Sequence, residues 1–295
     1  MTKSTRAHGA LIALGITVLI WSYSWIVMKQ ALRYAGPFEF AALRYALGTL
    51  VLFVVLLAMR RPLRPPALAG TIVVGLAQTA AFQGLSQLAL TTGGVGHVAL
   101  LAYAMPFWAV LLAWALLDDR PTRRHWVGIV LAAIGLVCVI APWEGLGSTE
   151  GTVYALLGGM FWALGTIVSK KIFIRDRPDP LTFTTWQMGF GSLALIAVAL
   201  CRPERPIEWT PPFVGLLAYS VLLATSLAWA LWLLVVQRLP ATIASLSSLA
   251  VPVTSVLMAW AILAEAPGLS EWIGVAFVVA GLIAVTGVAS RRALE

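Results

Sequence analysis

Long apolar blocks separated by short charged connections dominate this chain and limit its possible folds more than any other feature. A bilayer hydrocarbon core of about 30 Å is crossed by about 20 residues of α-helix. Lipid offers the backbone no hydrogen-bond partner, so each block must be helical. We therefore predict an all-α integral membrane protein with ten transmembrane helices. The blocks are 9–30, 38–59, 68–90, 95–117, 123–141, 151–172, 180–201, 212–236, 241–263 and 271–289.

The composition argues against a water-soluble protein. The chain is 60% hydrophobic and 11% charged, whereas about a quarter or more of a soluble surface is charged. No connection is long enough to form a soluble domain, so we expect the protein to act within the membrane. The first block lacks a small-residue cleavage site and is followed by nine others, so we expect a permanent helix and not a signal peptide.

The distribution of basic residues predicts the orientation in the membrane. Of the 20 Lys and Arg residues, 15 fall in connections or adjoining block ends on one predicted side and 4 on the other, with Arg44 alone well inside a block. Basic connections stay in the cytoplasm, so we predict cytoplasmic N- and C-termini and a location in the inner (plasma) membrane. Basic connections retained on the cytoplasmic face of the lipid bilayer account for the net charge of +8, so we expect no nucleic-acid partner.

The second half of the chain repeats the first. "PFWAVLLAWALL" at 106–117 resembles "PVTSVLMAWAIL" at 252–263, and an offset of 146 aligns Trp114 with Trp260. Earlier in the chain an offset of 141 aligns Trp21 with Trp162. We therefore predict two five-helix repeats, 1–147 and 148–295. Five crossings are an odd number, so the second repeat enters the membrane from the opposite side. Inverted repeats of this kind are typical of alternating-access carriers, which bind substrate near the midplane.

Three segments resemble a known family. "WSYSWIVMK" (21–29), "FAALRYALG" (40–48) and "LSSLAVPVTSVLMAWAILAEAPGLSEWIGVAFVVAGLIAV" (246–285) are similar to EamA-type drug/metabolite transporters (the DMT superfamily). The resemblance covers essentially the whole chain. It implies the DMT/EamA fold of ten helices in two inverted five-helix repeats, and it implies export. The Trp-rich character and the size are similar to those of aromatic amino acid exporters within this family.

Deep aromatic residues are the first candidates for a substrate site. Trp21 and Trp162 are equivalent in the repeat and lie near the middle of their blocks, where interfacial anchoring does not explain a Trp. The two rings either fill packing gaps or line a central cavity, and we favour the cavity. Trp25 lies one turn beyond Trp21, and Thr166 lies one turn beyond Trp162. Trp229 is also deep, but nothing in the sequence directs it inward.

Polar residues inside the blocks are the second group of candidates. In the third block, Gln78 lies about 140° from Gln83 at 100° per residue, and Gln87 shares a face with Gln83. We expect one face to line the cavity and the other to bond a neighbouring helix, and we favour Gln78 for the cavity. The hydroxyl groups of Tyr103, Ser245 and Ser248 either bind substrate or serve helix packing. Those three residues complete the predicted substrate-binding set.

One charge and two prolines have two interpretations each. Arg44 serves either a structural pairing or the attraction of an anionic group. Pro106 and Pro252 are equivalent mid-helix positions that remove a backbone hydrogen bond. Each proline is either a static kink or a gating hinge.

The sequence favours a carrier over the other function classes. All 12 acidic residues lie in connections or at block ends, so we expect a facilitator without proton coupling. We expect no catalytic residues, metal ligands or cofactors, because His, Cys and Ser show no enzymatic spacing. The predicted substrate is a small molecule, an aromatic or hydrophobic amino acid, carried by a monomer. The alternatives are a proton-coupled exporter of drugs or cationic amphiphiles, and a channel-like pore.

Overall fold

The computed structural model describes residues 3–117, 122–140, 149–238 and 250–292, and every regular element in these ranges is helical. The elements are α1 (Lys3–Ala31), α2 (Pro37–Ala58), α3 (Leu68–Val74), π1 (Gly75–Ala81), α4 (Phe82–Thr92), α5 (Val95–Ala102), α6 (Met105–Leu117), α7 (Arg123–Ile140), α8 (Thr149–Asp176), α9 (Pro180–Cys201), α10 (Pro211–Ala218), π2 (Tyr219–Leu227), α11 (Ala228–Arg238), α12 (Ala250–Leu263) and α13 (Leu269–Arg292). Here π1 and π2 are π-helical segments continuous with the α-helices on either side of them.

The helices make this a multi-pass membrane protein. Eight helical units in the described ranges are long and apolar enough to cross a bilayer, and two shorter apolar helices, Ala250–Leu263 and Leu269–Gly281, follow them. Large apolar side chains cover the outer surface, as Leu200, Ile174 and Leu269 illustrate with exposed fractions of 79%, 70% and 77%. Such a surface is stable in lipid and not in water. The count of ten crossings and the orientation of the termini remain predictions.

The fourth block is a broken helix, contrary to the expectation of a mid-helix proline. Helix α5 ends at Ala102, and α6 begins at Met105 with Pro106 as its second residue. The proline ring cannot donate to the Ala102 carbonyl and would clash with it in a continuous helix. That carbonyl oxygen instead lies 2.7 Å from where a Cβ at Gly159 would be, so α8 passes close beside the break.

The second predicted hinge has a different local setting. Pro252 is buried and is the third residue of α12. Residues 239–249, which precede α12, lie outside the described part of the chain.

Helices α7 and α13 cross through glycines in a reciprocal contact. A Cβ at Gly135 would lie 2.8 Å from the carbonyl oxygen of Gly274, and a Cβ at Gly281 would lie 2.7 Å from that of Gly128. Gly128 is equivalent to Gly274, and Gly135 is equivalent to Gly281, by the offset of 146. The two contacts therefore exchange equivalent residues between antiparallel helices, which is the pattern produced by a two-fold axis.

The other main helix contacts also come in exchanged pairs. Helix α1 packs against α11 and α12, while α8 packs against α4 and α6. Helix α2 packs against π2, while α9 packs against π1. Helices α2 and α9 are both 22 residues long and begin with proline, so residues 143 apart correspond between them. Equivalent helices of the two halves thus contact equivalent partners in the opposite half.

Candidate functional site

A central cavity of about 530 Å³ lies between the helices of the two halves. It receives side chains from α1, α2, α4, α6, α8, α9, α11 and α12, and from π1. Of the predicted site residues, seven line this cavity: Trp21, Trp25, Gln78, Tyr103, Pro106, Trp162 and Thr166. Ser245 and Ser248 lie outside the described residues. Pro252 is not in the lining, although its neighbour Val251 is.

A row of aromatic rings forms one wall of the cavity and connects its two halves. The ring of Trp229 lies 5.7 Å from that of Trp21 and 6.1 Å from that of Trp162, between centroids. The row is extended by Trp232, 5.5 Å from Trp21, and by Phe82, 4.7 Å from Trp162. These distances are typical of stabilising aromatic pairs. The equivalent residues Trp21 and Trp162 therefore meet through a single intermediate ring.

Three of these rings, those of Trp229, Trp232 and Phe82, were not among the predicted site residues. Trp229 and Trp232 are three residues apart, so they share one face of α11. Two Trp residues on one face, away from the helix end, were the available signal. The surrounding block is apolar on every side, so the sequence alone gave no inward direction.

Hydrogen bonds fix the predicted Trp residues against the π-helical segments. The indole Nε1 of Trp21 donates to the Ala224 carbonyl oxygen in π2, at 3.2 Å. On the other side, Gln78 in π1 donates through Nε2 to the Trp162 carbonyl oxygen at 3.3 Å and to Thr166 Oγ1 at 3.0 Å. The Thr166 hydroxyl in turn donates to the Trp162 carbonyl oxygen at 2.9 Å.

The glutamines of the third block correct one prediction. Gln78 and Gln83 both line the cavity, although α-helical geometry placed them on different faces. The chain from Gly75 to Ala81 is π-helical, and its wider i→i+5 turns bring residues five apart closer to one face. Gln87 is buried outside the lining, and neither atom of its amide has a hydrogen-bond partner among the described residues.

Two buried polar pairs lie at equivalent places on the cavity wall. Thr79 in π1 donates to Gln187 Oε1 on α9, at 2.9 Å. Arg44 on α2 donates through Nε to Thr225 Oγ1 in π2, at 3.1 Å. Arg44 and Gln187 are each the eighth residue of their helix, and the offset of 146 relates Thr79 to Thr225. The sequence analysis did not identify Gln187, because its equivalence to Arg44 requires the helix bounds.

A second cavity, of about 610 Å³, lies where α1 and α4 end and α2 and α5 begin. Its charged groups serve helix termini. Glu204 accepts hydrogen bonds from the first backbone N–H groups of α2, and Glu265 accepts one from Val95 at the start of α5. Lys29 donates to the carbonyl oxygens of Leu90 and Gly93 at the end of α4. These contacts are typical of helix capping, so we place the candidate site in the central cavity.

The lining of the central cavity limits its chemistry. Its described lining contains no carboxylate and no His. Within the ranges that the structure describes, no group of three His, Cys, Asp or Glu side chains is arranged to hold a metal ion. The lining offers aromatic faces, amides, hydroxyls and one guanidinium group, which suit reversible binding of a small organic molecule.

An all-helical membrane bundle with a central aromatic-lined cavity has the architecture of a transporter. The model of the EamA-like transporter family matches residues 8–141 and again residues 149–287. The chain therefore belongs to the EamA-like transporter family and is a membrane transporter.

Relatives and a solved structure agree with this family. The chain is 24% identical to the uncharacterized transporter YoaV of Bacillus subtilis, covering 95% of this chain and 98% of YoaV. It is 26% identical to the uncharacterized transporter YvbV of the same organism, covering 97% and 93%. A crystal structure that is 22% identical superposes with a TM-score of 0.68, over 96% of this chain and 98% of the other. At that identity, the superposition shows the fold alone.

Proposed function

We propose that this transporter exports small metabolites, most of all aromatic and hydrophobic amino acids, by alternating access through the central cavity. The observation that carries the proposal is the aromatic row, in which Trp229 connects the equivalent residues Trp21 and Trp162. A ligand between these rings contacts both halves of the protein. Rocking of one half against the other would then change the access to the ligand without moving the site.

The size and polarity of the cavity support this substrate class. Small-molecule sites are typically about 300–1,000 Å³ and mostly apolar, with a few placed polar groups, and this cavity has about 530 Å³. The indole rings suit an aromatic or branched apolar side chain. The amides of Gln78 and Gln83 and the hydroxyl of Thr184 in the same lining offer donors and acceptors to an amino-acid backbone.

The helix contacts support the alternating-access mechanism. The reciprocal glycine contacts of α7 and α13 are those expected if the two halves are inverted copies. An inverted pair has two energetically similar arrangements, one open to each side of the membrane. We place the protein in the plasma membrane, as a monomer with both termini in the cytoplasm.

We propose further that the protein is a facilitator and not a proton exchanger or an enzyme. Proton-coupled carriers rely on ionisable groups inside the membrane, and the described lining offers neither carboxylate nor imidazole. Liposomes that contain the purified protein and a pH-sensitive dye test this point. Substrate uptake without stoichiometric proton movement is expected, and coupled proton flux would contradict the facilitator.

Uptake into proteoliposomes tests the main proposal. A panel of labelled amino acids, with L-phenylalanine and L-leucine as the expected substrates and L-lysine as the comparison, is measured with the wild type and with Trp162→Ala. The substitution removes the ring but keeps the main-chain carbonyl that accepts from Gln78 and Thr166. We expect saturable uptake of the first two amino acids, and a loss of about tenfold or more in Trp162→Ala.

Trp114→Ala is the matched control, because Trp114 is 44% exposed, pairs with Trp126 and is absent from the cavity lining. Its uptake should equal that of the wild type. Equal uptake by Trp162→Ala would contradict the central site. Large unitary currents in planar bilayers would favour a channel over a carrier.

A further inference from the structure

The described lining of the central cavity contains one charged side chain, and that side chain is deeply buried. Arg44 projects from the eighth position of α2 and is 4% exposed. A guanidinium group keeps its charge under all ordinary conditions. Burying a charge without a counter-charge is costly, so this position requires an explanation.

The contacts of Arg44 use only part of its hydrogen-bonding capacity. Its Nε donates to Thr225 Oγ1 at 3.1 Å, and its guanidinium carbon lies 5.2 Å from the ring centroid of Tyr45. Its Nη1 atom is buried and has no hydrogen-bond partner among the described residues. No carboxylate of the described chain lies within the 4.0 Å of an ion pair with this side chain. The guanidinium is therefore neither neutralised nor fully hydrogen-bonded by the described protein.

The equivalent position in the other half shows that packing does not require this charge. Gln187 occupies the same place on α9 and binds Thr79, as Arg44 binds Thr225. A neutral amide is thus sufficient to hold the helix against its π-helical neighbour. The charge of Arg44 is the feature that distinguishes this half, and Arg44 is among the residues that line the space where a ligand would bind.

We propose that the Arg44 guanidinium is an anion subsite of the central cavity, which takes the carboxylate of the transported metabolite. The inference rests on the proposed transport function, because it assigns one end of the same ligand. Guanidinium and carboxylate groups form two parallel hydrogen bonds with defined geometry. The carboxylate would supply the counter-charge that the described protein lacks, and the aromatic row would contact the apolar end.

Binding of a matched pair of probes to the purified protein in detergent tests the subsite without requiring transport. The probes are 3-phenylpropanoate and its neutral isostere 3-phenylpropanamide, and the readout is quenching of Trp fluorescence. We expect the wild type to bind the carboxylate about ten- to a hundredfold more tightly than the amide, as for a charged hydrogen bond. Arg44→Gln should lose this preference, and Arg44→Lys should keep part of it.

Arg61→Gln is the control for a guanidinium removed outside the cavity, because Arg61 pairs with Asp179 and is absent from the lining. Its preference for the carboxylate should stay within about twofold of the wild type. A wild-type measurement makes the test independent of how the variants fold. Acetate at increasing concentration should displace 3-phenylpropanoate and leave 3-phenylpropanamide bound.

The subsite is contradicted if the wild type shows no preference for the carboxylate probe, if folded Arg44→Gln keeps the preference, or if acetate displaces both probes equally. Failure of the proposed function has a different signature. In that case labelled L-phenylalanine does not move across proteoliposomes, while the Arg44-dependent preference for 3-phenylpropanoate remains.

Discussion

The two π-helical segments occupy equivalent positions and are held in the same way by different partners. In π1, Thr79 binds the neutral Gln187 and contacts Gly191 on α9. In π2, Thr225 binds the charged Arg44 and contacts Gly48 on α2. The glycines, like Arg44 and Gln187, are 143 residues apart. Each half thus places a glycine four residues after a polar residue. In each half the glycine and the polar residue contact the same threonine.

The difference between the two segments separates packing from ligand chemistry. The shared elements are a threonine, a glycine and a polar partner, so these elements are sufficient for close contact between the helices. The charge occurs in one half only and is therefore not a requirement of that contact. A substrate is asymmetric, and two identical halves would not orient it. The wall of the central cavity is thus expected to differ between the halves where it distinguishes the two ends of a ligand.

The largest effect is expected from a methyl group added at the glycines. In Gly191→Ala the new Cβ would lie 2.3 Å from Thr79 Cβ and 2.5 Å from the Gly75 carbonyl oxygen, whereas in Gly48→Ala it would lie 2.5 Å from Thr225 Cγ2. Backbone yields less than a side-chain methyl, so Gly191→Ala should cost more. We expect a loss near the upper end of about 1–3 kcal/mol for Gly191→Ala and near the lower end for Gly48→Ala, measured by thermal unfolding in detergent.

Thr225→Ser removes the methyl that clashes in Gly48→Ala and keeps the hydroxyl that binds Arg44. The double variant Gly48→Ala/Thr225→Ser should therefore recover most of the stability. Thr79→Ser should not rescue Gly191→Ala to the same degree, because the Gly75 carbonyl oxygen remains. Equal losses and equal rescue in the two halves would contradict the difference between them.

A smaller effect is expected when the threonine hydroxyls are removed. Thr225→Val takes away the acceptor of a charged donor, and Thr79→Val takes away the donor to a neutral amide. Bonds to charged groups are worth about 1.5–3 kcal/mol, whereas neutral side-chain bonds within membranes average about 0.6 kcal/mol. Thr225→Val should therefore lower the unfolding temperature more than Thr79→Val. The reverse order would show that Arg44 gains little from Thr225.

The smallest effect on stability is expected from Arg44→Gln, although it is the most drastic change in charge. The new amide can bond Thr225 as Gln187 bonds Thr79, and the variant no longer buries an unpaired charge. We expect an unfolding temperature in ligand-free detergent that is equal to or higher than that of the wild type. A clear decrease would mean that the guanidinium has a structural partner, and it would restore the structural interpretation of Arg44.

The sequence predicted the helices better than their irregularities. The block 38–59 corresponds to the helix Pro37–Ala58, because hydropathy and the initial proline determine where such a helix lies. The break between Ala102 and Met105 was missed, although Pro106 marked its vicinity. A proline predicts the loss of one hydrogen bond, whereas here the helix is interrupted at residues 103 and 104, before α6 begins. The π-helical turns were also missed, because they accompany tertiary contacts such as the close approach of Gly75 to Gln187.

The candidate site was predictable in part, and for a physical reason. Trp21, Trp162 and Gln78 were placed on a cavity because a deep Trp or amide is costly or unexplained at a lipid-facing position. Gln187 escaped because only the helix bounds relate it to Arg44, and Trp229 escaped because a helix that is apolar on most sides carries no signal for its inward face. That face is set by neighbouring helices, and the repeat identifies equivalent positions only when the helix bounds are known.

Accessibility of one cavity residue tests the central claim most directly, namely that a single cavity between opposed halves opens in turn to each side of the membrane. Thr166 is an exposed residue of the lining, and Thr166→Cys in a background with Cys138 and Cys201 replaced by serine places one thiol there. A membrane-impermeant maleimide, applied to oriented vesicles from either side, should label this thiol from both sides, and saturating L-phenylalanine should slow both reactions. Labelling from one side only, with no protection by any amino acid of the panel, would contradict the account.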